Sequence, residues 1–479
     1  MKFKKVLLVF PAFDSDTGSS RPSPSIGYLA QTLEDNKIEY DVMDMMLGYS
    51  FKELKDKVAS FKPDLIGLTL FTLHHRAVYA MLEKLRSTFP DIKIIVGGPH
   101  VSIDREKVLK QCAAIDFGCV HEGEKLLVEL CHGENPENIP GLIFRDDQRI
   151  IAGQPGPFEQ NLSELGFPKL KKFELNKYAS EVAIVSSRGC PYSCIFCSVS
   201  QTLGRKIRTR RADDVVNEIE YWHRKGKRIF NFLDDNFTFY PQRVYEICDE
   251  IESRKLKGLV LRCSNGVRAD KLDAPLLQKM WSVGFRSIGI GVEAGNNTVL
   301  KLLKKGETIE QIDAAVKIAC EIGYEVALFF VFGAPGETGE DVEDSINFAL
   351  KYPVFKVDFY NLIPFPGTEL FDWVEHNNAW AADKEELLDA TDKNIRFGSR
   401  PFFQTFELPL AKRIALNRTL RGVMRKVEKK YITRQLRKKF GILACPLAQA
   451  ASTRFVQKLY FGNNEFRKLA EKVRYSLME

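Results

Sequence analysis

No stretch of this 479-residue chain approaches the roughly 18 uninterrupted apolar residues that a membrane-spanning helix needs, which argues against a helical membrane protein. Low-complexity tracts are also missing, so no segment is disordered by composition alone. Hydrophobic residues at 44% and charged residues at 28% let each domain bury a full core. The opening MKFKKVLLVFPAFDSDTG is basic, but its short apolar run stops at Pro11 and acidic turn residues without a small-residue cleavage site. The chain is therefore expected in the cytoplasm, where thiols stay reduced. Seven of its ten cysteines (Cys112, Cys119, Cys131, Cys248, Cys263, Cys320, Cys445) are scattered singly and read as small buried hydrophobes. The other three lie together, and no second closely spaced pair accompanies them. Structural zinc takes four closed ligands, usually as two such pairs, and this chain does not offer them.

What the chain does contain is repeated β/α alternation, over a length that predicts two or three domains. In residues 1–140, the apolar runs KKVLLVF, IEYDVMD, DLIGLTLF, IKIIVGG and IDFGCV are separated by amphipathic stretches such as HRAVYAMLEKLRSTF. Five strands with crossover helices predict an α/β, doubly wound, flavodoxin-like sheet whose ligand lies beyond the strands' C-terminal ends. A hairpin-like GLIFRDDQRIIAG opens a linker over residues 141–180. The alternation then restarts over 181–375 with VAIVSS, RIFNFLDD, GLVLRCSNG, SIGIGVEA, EVALFFVFG and KVDFYNLIPF. Six β/α units predict a partial (β/α)6 barrel, two units short of the eightfold one, with its chemistry on the C-terminal rim. Residues 376–479 form a helical, basic C-terminal extension.

The three neighbouring cysteines, Cys190, Cys194 and Cys197 in RGCPYSCIFCSVS, fall just after the first strand of that barrel. Three thiolates on one short loop suit three corners of a [4Fe-4S] cubane and leave the fourth iron without a protein ligand. CxxxCxxC on this loop, with Phe196 immediately before the last cysteine, resembles the radical S-adenosylmethionine (SAM) enzymes. The resemblance implies that the open iron binds SAM and that Phe196 contacts it. It also implies that one electron, from a flavodoxin- or ferredoxin-type donor, cleaves SAM to a 5'-deoxyadenosyl radical. Each later strand ends in a motif that fits: LDDNF with Asp234 and Asn236 for the methionyl ammonium, RCSNGVRAD with Ser264 for the ribose or carboxylate, and GIGVEAGN with Glu293. FGAPGET supplies a glycine-rich turn for adenine, and IPFPGT closes the sixth unit. An acidic residue at one strand end is more often a helix cap, so the weight lies in six motifs in register.

The first domain resembles the cobalamin-binding domain fused ahead of many radical SAM barrels. That likeness assigns Thr72, Gly97, Gly98, His100 and Glu122 to cobalamin, with the glycines letting a flat macrocycle approach the backbone. The axial histidine of the mutase-type DxHxxG loop is missing, since this loop reads FDSDTGSS. His74 and His75 are possible cobalt ligands, but a solvated helix start is the plainer reading of both.

The two cofactors together imply methyl transfer to an unactivated carbon of a small-molecule or lipid substrate. A non-methylating rearrangement, cyclisation or oxidation, or a cobalamin-binding sensor, are the alternatives. Basic charge is concentrated at the end, with 18 Lys plus Arg against 4 Asp plus Glu over residues 411–479. Leu416, Leu420, Val423, Met424, Val427 and Tyr431 recur there at helical spacing. A helix packed on the barrel, or contact with an anionic membrane surface, explains this pattern better than nucleic acid does, because few aromatics are present to stack on bases. The extension loosely resembles that of the group containing enzymes of hopanoid and bacteriochlorophyll synthesis.

Overall fold

The computed structural model describes residues 2–12, 21–147, 149–388 and 401–440, excluding the side chains of 387–388 and 438–440. The chain divides into two compact units. One holds the chain up to Tyr178 and takes in Ser198–Thr209, and the other holds Ala179–Cys197, Arg210–Lys384 and the C-terminal helix. The FDSDTGSS loop, Cys445 and the basic residues beyond 440 lie outside the described residues.

The first unit is built on β1 (Lys5–Phe10), β2 (Glu39–Asp44), β3 (Leu65–Thr69), β4 (Lys93–Gly97) and β5 (Phe117–Cys119), in the order 2-1-3-4-5 with parallel pairing. Alternate residues of β1 feed two cores. Leu7 and Val9 pack with Leu54, Ile66 and Leu82 on one face, and Val6 and Leu8 with Ile26, Leu33 and Leu126 on the other. Burial on both faces explains why KVLLVF and LIGLT read as continuous apolar runs. The hairpin-like stretch that opens residues 141–180 joins this sheet. Its hairpin, β6 (Leu142–Asp146) and β7 (Arg149–Ala152), extends the same sheet antiparallel beyond β5, making seven strands.

The second unit carries a six-stranded parallel sheet: β8 (Glu181–Ile184), β9 (Ile229–Phe232), β10 (Val260–Val267), β11 (Phe285–Glu293), β12 (Glu325–Phe332) and β13 (Lys356–Asn361). Each strand pairs only with its sequence neighbours, as in an open partial barrel. Helices start where the sequence provides caps: Thr308 with Gln311, and Thr338 with Asp341, form capping boxes that end the preceding rim loops.

The C-terminal helix, Leu410–Phe440, packs on β13. Its buried positions Arg413, Asn417, Leu420, Val423, Val427 and Tyr431 follow a spacing of three and four, and the Tyr431 hydroxyl donates to Glu325 at 2.6 Å. This helix packs on the barrel along its apolar stripe, while Leu416 and Met424 are only half-buried. Among the described residues, no helix is long and apolar enough to cross a membrane.

Candidate cofactor sites

Cys190, Cys194 and Cys197 are half-buried on the loop that follows β8. Two backbone bonds hold this loop: Ile195 donates to Leu303 at 3.2 Å and accepts from Leu370 at 2.9 Å. Burial pushes the Cys194 thiol up to about 12, with Lys305 opposing the shift and Glu293, Cys197 and Cys190 adding to it, so the three sulfurs feel one another. Among the described residues, no three His, Cys, Asp or Glu side chains converge on a single ion. A cubane does not ask that of its ligands, because each thiolate takes a different iron. Bound iron reverses the effect of burial by stabilising the thiolates.

The LDDNF turn after β9 separates three adjacent polar residues into three roles. Asp234 is 2% exposed and already committed: one oxygen accepts the Ser186 amide at 2.7 Å, and the other accepts the hydroxyls of Ser186 and Ser187, the latter at 2.6 Å. It ties this turn to the end of β8, and three of its acceptor positions are taken by the protein itself. Asp235, next in sequence, is half-buried and pushed up to about 7 by burial and by Asp234 beside it. A cation arriving there restores the ionised form, so Asp235 suits an ammonium better than its neighbour does. Asn236 is 2% exposed, and among the described residues neither its amide nitrogen nor its oxygen has a partner. Buried amides are rarely left in that state without a ligand to complete them.

Ser264 is exposed on β10, its backbone amide donating to Asn231 at 3.1 Å. Glu293 ends β11 at a register shift with φ of 64°. Its carboxylate folds back over Gly291, where a Cβ would lie 2.5 Å from Glu293 Oε1, and accepts from Lys305 at 3.0 Å. Glu293 therefore answers a buried lysine, a partner that the sequence motif did not reveal. The FGAPGET turn is held from within by Glu337, which accepts the Ala334 amide at 2.9 Å and also bonds the Gly333 amide. Burial pushes Glu337 up to about 7, against those two bonds and the nearby Arg413 guanidinium. Arg413 reaches in from the C-terminal helix to the Phe403 carbonyl at 2.7 Å and Asn361 at 3.2 Å.

In the first unit, the 2-1-3-4-5 order puts the topological switch point between β1 and β3, where such sheets bind ligands. Phe10, at the end of β1, meets Phe71 edge-to-face at 6.2 Å, and Phe71 remains 38% exposed. An aromatic pair at the switch point, one ring exposed and the other half-buried, fits a large, flat, partly apolar ligand. Of the residues assigned to cobalamin from sequence, Glu122, Gly98 and His100 have close contacts within the protein. Glu122 is paired with Arg208, both its oxygens lying 2.8 Å from one guanidinium nitrogen, and it also accepts the Glu159 amide at 2.6 Å. Gly98, at φ of 100°, is glycine because a Cβ would lie 2.7 Å from Thr69 Oγ1 and 2.9 Å from the Leu70 carbonyl. Its own chain, rather than a macrocycle, forbids a side chain there. Gly97 has only ordinary contacts around its missing Cβ.

His75 is 5% exposed rather than solvated, its Nδ1 lying 2.7 Å from the Thr72 carbonyl. Its ring lies 4.5 Å from that of His100, which bonds the Tyr79 hydroxyl at 3.0 Å and faces Asp104 at 3.1 Å. Thr72, His75, Tyr79 and His100 thus form a buried polar knot beneath the β3 and β4 ends. His74 takes up φ of 84° at the helix cap.

A three-cysteine loop on the rim of an open barrel and a flavodoxin-like domain suit two cofactors, one of them iron–sulfur. Residues 184–349 match the radical SAM superfamily, and residues 17–131 match the B12 binding domain. The chain thus carries a match to the radical SAM superfamily over its barrel, with a match to the B12 binding domain ahead of it. An uncharacterized methyltransferase of Pyrococcus horikoshii is 28% identical over 391 residues, spanning 79% of this chain and 84% of that one. The anaerobic magnesium-protoporphyrin IX monomethyl ester cyclase of Cereibacter sphaeroides is 26% identical over 453 residues, spanning 90% and 71%. The radical SAM methyltransferase TsrM of Kitasatospora setae, solved with cobalamin and a [4Fe-4S] cluster, has TM-score 0.69 at 20% identity over 80% of this chain and 77% of that one. The cobalamin-dependent radical enzyme OxsB gives 0.75 at 17% identity, covering 99% and 76%. At these identities the solved structures establish a shared fold.

Proposed function

We propose that this protein is a cobalamin-dependent radical SAM C-methyltransferase acting on a small-molecule or lipid substrate. The observation that carries the proposal is one chain joining a three-cysteine loop on a barrel rim to a 2-1-3-4-5 sheet with an aromatic switch point. The named methyltransferase of Pyrococcus horikoshii and a cytidylyl-2-hydroxyethylphosphonate methyltransferase of Streptomyces wedmorensis, 25% identical over 441 residues, support it. When bound, the cluster and SAM supply a 5'-deoxyadenosyl radical, and methylcobalamin supplies the methyl group.

The chain's own residues do the positioning. Cys190, Cys194 and Cys197 hold three irons and leave one for SAM. Asp235 and Asn236 receive the methionyl amino group, and the turn kept in shape by Glu337 receives adenine. Phe10 and Phe71 support the corrin. A flavodoxin- or ferredoxin-type protein supplies the electron.

Cyclisation is the second reading, favoured by the likeness to magnesium-protoporphyrin ester cyclases over most of the chain. Methyl-labelled SAM with reductant, cobalamin and a native extract of small molecules and lipids separates the two. Label in a product together with 5'-deoxyadenosine and S-adenosylhomocysteine supports methylation. A changed, unlabelled product with 5'-deoxyadenosine alone supports the alternative.

A further inference from the structure

Lysine is rarely buried, because an ammonium removed from water costs several kcal/mol unless carboxylates answer it. Lys305 is 7% exposed and answered twice: its Nζ lies 3.0 Å from Glu293 and 3.5 Å from Glu307. Glu307 in turn lies 3.6 Å from Arg268, whose guanidinium donates to the carbonyls of Lys305 at 2.7 Å and Gly306 at 2.9 Å. The same guanidinium sits 3.6 Å over the ring of Tyr192, inside the cysteine loop. Leu303, two residues before Lys305, accepts the amide of Ile195 from that loop. Thus a buried cation and its two carboxylates are fixed, through Arg268 on Tyr192 and Leu303 on Ile195, to the loop carrying Cys190 and Cys194.

Resting on the reading of these cysteines as cluster ligands, we infer that Lys305 is a positioning residue that sets the reduction potential of the cluster through its charge, with Glu293 as the opposing setting. Reduction adds one negative charge to a cluster that is already anionic with its three thiolates. A nearby cation stabilises the reduced form more than the oxidised one and raises the potential, and an anion does the reverse. Low dielectric around Lys305 keeps this effect from being screened by salt.

The test is an anaerobic redox titration of the full-length reconstituted protein, followed by electron paramagnetic resonance and carried out without SAM, so that any contact of Glu293 with SAM plays no part. Lys305→Met is expected to lower the midpoint potential, Glu293→Gln to raise it, and Lys305→Arg to leave it near the wild-type value. Opposite signs separate charge from architecture, because loosening the loop has no reason to move the potential in two directions. Should Lys305→Met fail to hold a cluster, Glu293→Gln and Lys305→Arg still decide the matter. Equal potentials in cluster-replete variants, or a shift of the same sign in Lys305→Met and Glu293→Gln, overturn the inference and leave the proposed function standing. A wild-type chain that takes up no iron and sulfide overturns both.

Discussion

Glu122 and Arg208 lie 86 residues apart in sequence and form one buried ion pair at 2.8 Å, with side-chain exposures of 7% and 2%. Arg208 also donates to the carbonyls of Glu159 at 2.7 Å and Leu203 at 2.8 Å and lies 4.9 Å over Phe158. The pair anchors Ser198–Thr209, the segment immediately after Cys197, within the first unit.

Removing one partner strands a buried charge. Glu122→Ala is expected to cost about 3–5 kcal/mol in denaturant unfolding, while the protein that remains folded binds cobalamin with unchanged affinity. A selective loss of cobalamin affinity at normal stability would restore Glu122 as a cofactor contact.

Asn236 is expected to behave in the opposite way. Its unpartnered buried amide is a burden on the SAM-free protein, so Asn236→Ala should leave stability unchanged or raise it, yet weaken SAM binding by about 1–3 kcal/mol in isothermal calorimetry. Lost stability with unchanged SAM affinity would show the amide to be structural.

Buried carboxyls give the second unit a pH dependence. Glu337 titrates at about 7 in the folded chain, above its ordinary 4.5, so the native state holds this proton more tightly than the unfolded state does. The stability this contributes is complete below the unfolded value and is lost as pH rises through about 7. Asp235, also at about 7, acts in the same direction. Glu337→Gln should flatten, without abolishing, the fall in stability between about pH 4 and pH 7. An unchanged slope would place the dependence elsewhere.

The lower face of cobalt supplies a spectroscopic test. Nδ1 of His75 is used on the Thr72 carbonyl, and His100 is enclosed with Tyr79 and Asp104. The cob(II)alamin signal is expected without nitrogen superhyperfine splitting, and His75→Ala should not alter it. A nitrogen triplet lost in His75→Ala would make His75 the ligand.

The strands were legible because buried parallel strands are short apolar runs, and all eleven principal runs of the two alternating regions became strands. The cysteines were legible because their spacing is local. The site's partners were not. Glu122 and Arg208, or Lys305 and Glu307 with Arg268, meet only once the chain has folded, and a carboxylate looks the same in sequence whether it faces a ligand or a buried cation. Asp234 and Asp235 share one motif, yet the turn gives the first to two serines and leaves the second half-exposed. The hairpin at β6 and β7 is legible as a hairpin, but its polar turn residues do not reveal which sheet edge it extends.

The central claim is that three thiols hold a cluster whose open iron binds SAM, and anaerobic reductive cleavage of SAM by the reconstituted protein tests it most directly. The account predicts about four irons and four sulfides per chain and 5'-deoxyadenosine formed under reductant, with both lost in Cys190→Ala, Cys194→Ala and Cys197→Ala. Stoichiometric zinc in place of iron, with SAM left intact, would contradict it.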